Sequence, residues 1–264
     1  MPQPATLIMV DNGNYNLPKT DQQQDLSSSF NGGKPNSTES YIANSSFNFD
    51  LINDIKTKLC IIDSNSAHQI SLFLATKHFA EFKQQGVEPQ LFVLNFDQHL
   101  DYGKEKNARR LPLKSNELIN CGNWACFLDE KIDYLAVGVD FIGVGANSVG
   151  CDFIPSHISD NLNVYIEPIK DRLRGHKNVY ITIDMDVLIG FDRTNWQPGS
   201  LRYTELLSIL KEILQFCKSN SINIVGADIT GMPPIKKTPT PSKIVETYLQ
   251  NVEEVANTLL DYLK

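Results

Sequence analysis

The chain has 264 residues, 41% of them hydrophobic and 21% charged, which is enough for one large α/β domain with a substantial core. A formal net charge of −7 speaks against a nucleic-acid or anionic-membrane partner, since both need a basic face. No apolar run is long enough to span a bilayer, the opening MPQPATLIMVDNGNYN lacks the regions of a signal peptide, and five irregularly spaced cysteines read as reduced thiols of a cytoplasmic protein.

Taken in chain order, ATLIMV (5–10) predicts a first short strand. Residues 20–48 are rich in Ser, Asn, Gln and Gly without periodicity; they read as a long exposed polar loop, an idle decoration rather than a lid. LCIID (59–63) predicts a buried strand, and 66–85 a helix with Ile70, Phe73 and Leu74 on one face, closed by Gly86. Strands follow at LFVLNFD (91–97), within YLAVGVDFIGVG (134–145), at NVYIEP (163–168) and at VYITIDMDV (179–187). A helix spans 203–217, a strand INIVGADI (222–229), and a final helix about 241–263, whose apolar stripe from Val245 to Leu263 is core packing. Near-continuous Val/Ile/Leu runs alternating with amphipathic helices predict a mostly parallel sheet covered on both faces, one α/β domain over 1–264 without internal repeat. In such sheets reactive residues gather at the carboxyl ends of strands.

Three acid- or His-rich clusters sit at such ends. Asp97, His99 and Asp101 follow LFVL at a spacing of two, which in an extended chain points all three the same way. Asp184 and Asp186 repeat that spacing after VYIT, and His68 lies just beyond LCIID. Carboxylates crowded among apolar strands repel one another and are costly to bury unpaired, and a cation resolves both problems. Six ligands, four Asp and two His, exceed what one catalytic zinc takes and suit two ions sharing carboxylates. Oxygen-rich donors with imidazole and no thiolate favour manganese. His78 and His176, in a helix and a polar loop, read as structural. Cys121 and Cys126, with no second pair, do not make a zinc site.

These residues resemble the ureohydrolase family of arginases and agmatinases. Ser66-Ala67-His68-Gln69 stands for the family's Gly-Gly-Asp-His-Ser, Asp97-Gln98-His99-Leu100-Asp101 for its Asp-x-His-x-Asp, and Asp184-Met185-Asp186 for its Asp-x-Asp. Gln197-Pro198-Gly199-Ser200-Leu201 resembles the stretch after the second acid pair, and Asp228-Ile229-Thr230-Gly231-Met232-Pro233 the family's Asp-x-x-Glu-x-x-Pro. The resemblance implies a three-layer arginase-like fold and two Mn2+ per chain held by His68, Asp97, His99, Asp101, Asp184 and Asp186. It further implies attack of metal-activated water on a guanidinium carbon, with Asp101 moving the proton.

The departures shape the expected substrate. Gly231 stands where the family keeps its guanidinium-binding Glu, and in Asn120-Cys121-Gly122-Asn123-Trp124-Ala125, Ala125 stands where arginases keep a proton-shuttling His. The Asp-Gln-His-x-Asp and Gly-Asn-Trp elements are most similar to the divergent peptide arginases of ribosomal peptide maturation, which turn peptidyl arginine into ornithine and release urea. An Arg-containing precursor peptide is then the partner, a homo-oligomer is compatible with the sequence, and a free guanidine or a non-catalytic peptide-binding role are the alternatives. Asn123, Asp228, Glu167 and Asp152 are the substrate-binding residues to examine.

Overall fold

The computed structural model describes residues 5–9, 20–25, 52–64, 67–86, 90–102, 119–140, 152–156, 161–190, 199–232 and 243–263. Its strands are β1 (Ala5–Met9), β2 (Thr20–Asp25), β3 (Leu59–Ile62), β4 (Leu91–Phe96), β5 (Ile132–Val139), β6 (Asp152–Pro155), β7 (Asn178–Asp184) and β8 (Asn223–Thr230). The helices are α1 (Ile70–Gln84), α2 (Asn163–Leu173), α3 (Tyr203–Ser219) and α4 (Lys243–Leu260), and short 3-10 turns cover Trp124–Phe127 and Met185–Val187. The strands form one sheet in the order β2-β1-β3-β8-β7-β4-β5-β6, all pairings parallel.

Two cores lie on the two faces of this sheet, and the period-two alternation of each strand divides its residues between them. Phe92, Leu94 and Phe96 of β4 and Val179, Ile181 and Ile183 of β7 pack with Tyr165 and Ile169 of α2, Leu210 of α3 and Val252 of α4. Leu91 and Val93 of β4 and Tyr180 of β7 pack instead with Ile70 and Phe73 of α1 and with Trp124 and Phe127. Each fully buried large apolar side chain contributes about 1.5–3 kcal/mol. That three-layer α/β architecture is the predicted fold class.

The same alternation puts a polar row on the α1 face. Asn95 is in register with Thr182, Thr182 with Asp228, and Asp228 with Cys60. One step further toward the carboxyl ends come Asp97 and Asp184. β4 leads on to β5 on one side while its neighbour β7 leads to β8 on the other, so the strand order reverses between β4 and β7. Clefts of open α/β sheets form at such switch points.

Several predicted elements differ from those observed. Residues 163–168 begin a helix, α2, not a strand. Its buried positions, Tyr165, Ile166, Ile169 and Leu173, repeat at helical spacing, which becomes visible only past Pro168. Thr20–Asp25 pairs with β1 as an edge strand although its composition reads as loop; backbone pairing at an edge does not require an apolar pattern. Residues 26–48 lie outside the described residues. Strand β6 has no counterpart among the predicted elements, and α1 starts at Ile70, later than position 66.

Candidate metal centre

The three sequence clusters meet at the carboxyl ends of β4 and β7, beside the turn that leads into α1. His68 Nδ1 lies 3.1 Å from Asp97 Oδ2, 2.8 Å from Asp101 Oδ2 and 3.5 Å from Asp184 Oδ2. His99 Nδ1 lies 3.0 Å from Asp186 Oδ2 and 3.4 Å from Asp97 Oδ1. Two overlapping groups result, His68–Asp97–Asp184 and Asp97–His99–Asp186, each with ligand atoms within 4.8 Å of one another. Asp97 belongs to both. Of the six, only His99 is more than slightly exposed, its side chain at 38%.

The local backbone is not the extended ribbon that the spacing suggests. β4 ends at Phe96; beyond it Asp97 Oδ1 accepts from the backbone N–H of His99 at 2.7 Å, and Asp101 sits in the left-handed region at φ 54. β7 ends at Asp184, whose Oδ1 caps the following 3-10 turn by accepting from the N–H of Asp186 at 3.0 Å. The acids converge because each chain bends around its own first carboxylate. Gly199 keeps the Asp186 turn in place: its N–H donates to the Asp186 carbonyl, and a Cβ there would strike the backbone of Val187.

Electrostatics show what the cluster wants. Burial and the neighbouring charges of Asp186 and Asp97 push Asp184 well above the usual carboxylate range. Burial, with Asp97 beside it, pushes Asp101 up to about 7, and Asp186 is raised for the same reasons. Burial also opposes ionisation of Asp97, but hydrogen bonds from His68 and His99 prevail and hold it low. Burial disfavours protonated imidazoles, yet the carboxylates keep His68 well above its ordinary value and His99 up at about 12. Four acids and two imidazoles thus share protons as poor substitutes for cations. The donor set fits one or two divalent ions of intermediate hardness, manganese foremost, with Asp97 shared between them.

Support comes from residues that sequence reasoning passes over. His68 Nε2 lies 2.9 Å from Thr182 Oγ1, which donates to Asp228 Oδ1 at 2.8 Å. Ser71 and Tyr180 hydroxyls donate to the same carboxylate at 2.9 and 2.7 Å. Asn95 Nδ2 donates to Asp97 Oδ2 at 3.3 Å and to Tyr134 Oη at 2.9 Å. Such outer partners fix the orientation of metal-binding side chains. The available signal is parity: Asn95 and Thr182 stand two residues before Asp97 and Asp184, polar within otherwise apolar strands.

The substrate residues named from sequence fare differently. Asp228 is fully buried and engaged by three hydroxyls, so it braces His68 and does not face an incoming guanidinium. Glu167 is bound to Lys170 on the exposed side of α2, and Asp152 pairs with Arg172; neither reaches the cluster. Asn123 Oδ1 accepts from the backbone N–H of Asn120 at 2.8 Å and shapes the turn before Trp124. His78 pairs with Glu81 and His176 with Asp133, away from the cluster. Gly231 has φ 81, and a Cβ built there would overlap Asp184 Oδ1 and lie 2.7 Å from the Met185 nitrogen. Its peptide is pinned on both sides, the N–H by Ser64 O at 3.1 Å and the carbonyl by the Tyr248 hydroxyl.

A parallel sheet whose switch point carries two overlapping acid–histidine groups makes an α/β protein with a candidate divalent-metal centre. The model of the arginase family matches residues 67–250, and the chain belongs to that family. No curated protein matches it by sequence. Among solved structures, arginase from Bacillus subtilis superposes with a TM-score of 0.61 at 14% identity, covering 98% of this chain and 98% of that one. The proclavaminate amidino hydrolase of Streptomyces clavuligerus gives 0.61 at 14% identity, covering 99% and 91%. Formimidoylglutamase from Bacillus subtilis gives 0.55 at 18%, covering 78% of this chain and 60% of that one. At these identities the likeness is one of fold.

Proposed function

We infer that the chain hydrolyses guanidinium groups with two Mn2+ ions and that its substrate is arginine within a peptide, converted to a peptidyl ornithine with release of urea. The observation that carries the hydrolytic reading is the convergence of His68, Asp97, His99, Asp101, Asp184 and Asp186 into two groups sharing Asp97. When bound, paired ions lower the pKa of coordinated water so that a nucleophile is available near neutral pH. His68, Asp97, Asp101 and Asp184 would hold one ion, and Asp97, His99 and Asp186 the other. Asp101 would hold a proton and hand it to the leaving amine. Asp228, through Thr182, keeps the His68 ring turned toward the carboxylates.

The peptide reading rests on Gly231 and Ala125. The overlap at Gly231 leaves no room for the Glu that would grip a guanidinium, and Ala125 is buried and carries no shuttle. Free arginine would then be poorly positioned, and positioning contributes much of catalysis. A peptide backbone supplies binding farther from the acids. A cytoplasmic setting is supported by the buried thiols of Cys60 and Cys217; among the described residues no helix is long and apolar enough to cross a membrane. The test is kcat/KM for free arginine against an Arg-containing peptide blocked at both ends, with urea release as the signal. A wide preference for the peptide is expected; equal or better use of free arginine would favour the free-guanidine reading.

A further inference from the structure

Asp101 is held from two sides by consecutive residues of a segment that the proposed reaction leaves without a role. The indole Nε1 of Trp124 donates to Asp101 Oδ2 at 2.6 Å, and the backbone N–H of Ala125 donates to the Asp101 carbonyl at 3.0 Å. Trp124 is fully buried. Its ring sits 5.1 Å from the His68 ring and edge-on to Tyr134 at 5.8 Å, while the Tyr134 hydroxyl donates to the Leu100 carbonyl at 3.0 Å. Asp101 needs such a grip. At φ 54 its backbone lies in the left-handed region, which disfavours a residue with a Cβ, and left-handed residues at functional sites persist only where their surroundings over-determine them. Its carboxylate also stands among like charges that would drive it outward.

We propose that Trp124 is a positioning residue that presents Asp101 to the ion on the His68 side. This inference rests on the two-ion reading. The indole is a donor with no acceptor capacity. It therefore fixes one carboxylate oxygen in the ionised form without competing for the ion, as a carbonyl or imidazole partner would. Its rigid ring is buried between the rings of His68 and Tyr134. The segment that keeps a shuttle in other family members here becomes a clamp: Ala125 contributes only its backbone, and Trp124 the directed N–H. The effect is confined to one ion, because Asp101 is close to His68 and takes no part in the Asp97–His99–Asp186 group.

The experiment titrates metal-free protein with Mn2+, counting ions by equilibrium dialysis and following the spin-coupled pair by electron paramagnetic resonance. Wild type should bind two ions. Trp124→Phe, which keeps the ring and removes the N–H, should bind the first ion as wild type does and the second about 10- to 100-fold more weakly. The paired signal should then appear only at higher Mn2+. In an Asp101→Asn background, Trp124→Phe should cause no additional loss. Two ions held with wild-type affinity by Trp124→Phe would overturn the proposal; fewer than two ions in wild type would instead remove the two-ion reading beneath it. Should Trp124→Phe not fold, the indole N–H resonance decides, assigned with Trp196→Phe. It should be downfield and slow to exchange in wild type and move upfield in Asp101→Asn. An indole signal indifferent to Asp101→Asn would overturn the proposal.

Discussion

Replacing Gly231 with Ala should damage the protein in a way that separates backbone strain from loss of the site. The left-handed conformation at φ 81 costs a residue with a Cβ about 1–2 kcal/mol. The peptide cannot turn away, because Ser64 O and the Tyr248 hydroxyl hold its two ends. Asp184 must move instead, which breaks the bond its Oδ1 accepts from the Asp186 N–H at 3.0 Å; with Asp184 held neutral in the metal-free chain, that hydrogen bond is worth about 0.5–1.5 kcal/mol. The total is about 1.5–3.5 kcal/mol, or a fall in Tm of about 3–14 °C for a chain of this length. Gly86→Ala is the control, since Gly86 has φ 69 and a Cβ added there would meet nothing within 4 Å, so it should lose only the backbone part. Thermal unfolding in excess chelator compares the two, and metal analysis of the Mn2+-reconstituted protein reports on Asp184. Gly231→Ala no less stable than Gly86→Ala, with full metal content, would refute the reasoning. Gly231→Glu meets the same overlap, so it should fail to recreate the guanidinium site of the family.

Asp186→Ala and His99→Ala should each reduce urea release by more than the roughly 10- to 100-fold typical of outer partners, while circular dichroism stays native, because neither side chain belongs to the two apolar cores. Retained turnover in either variant would mean that the chemistry lies elsewhere. Metal loading should also release protons. In the ion-free chain the carboxylates hold His68 high and His99 at about 12, so both carry a proton at neutral pH and must shed it to become ligands. Apparent Mn2+ affinity should therefore rise with pH, and binding heats should scale with the ionisation enthalpy of the buffer. Heats independent of the buffer would contradict that protonation state.

The ligand residues are legible because acids and histidines at strand ends are conspicuous against Val/Ile/Leu runs. The bends that bring them together are not: Asp101 at positive φ and the 3-10 turn of Asp186 depend on hydrogen bonds that spacing does not encode. Helix α2 reads as a strand because VYI has the same composition in either element, and only Ile169 and Leu173, beyond a proline, settle the period. Asp228 stands out as a charged residue and looks available to substrate. Its burial follows from parity with Thr182 and Cys60 on neighbouring strands, which requires the strand order. Trp124 gives no sign of its partner, since Asp101 is 23 positions away in sequence.

Tyr248 ties the metal centre to the last helix. Its hydroxyl on α4 is what holds the Gly231 carbonyl, and Gly231 in turn leaves Asp184 its place. The loop that carries Asp184's neighbour is thus completed by a residue translated after every ligand. During synthesis the six proposed ligand side chains emerge before the part that locks them, and a nascent chain cut short of α4 would display acids without a firm binding geometry. Loosening of α4 would then disturb the site from a distance without touching any of its acids or histidines.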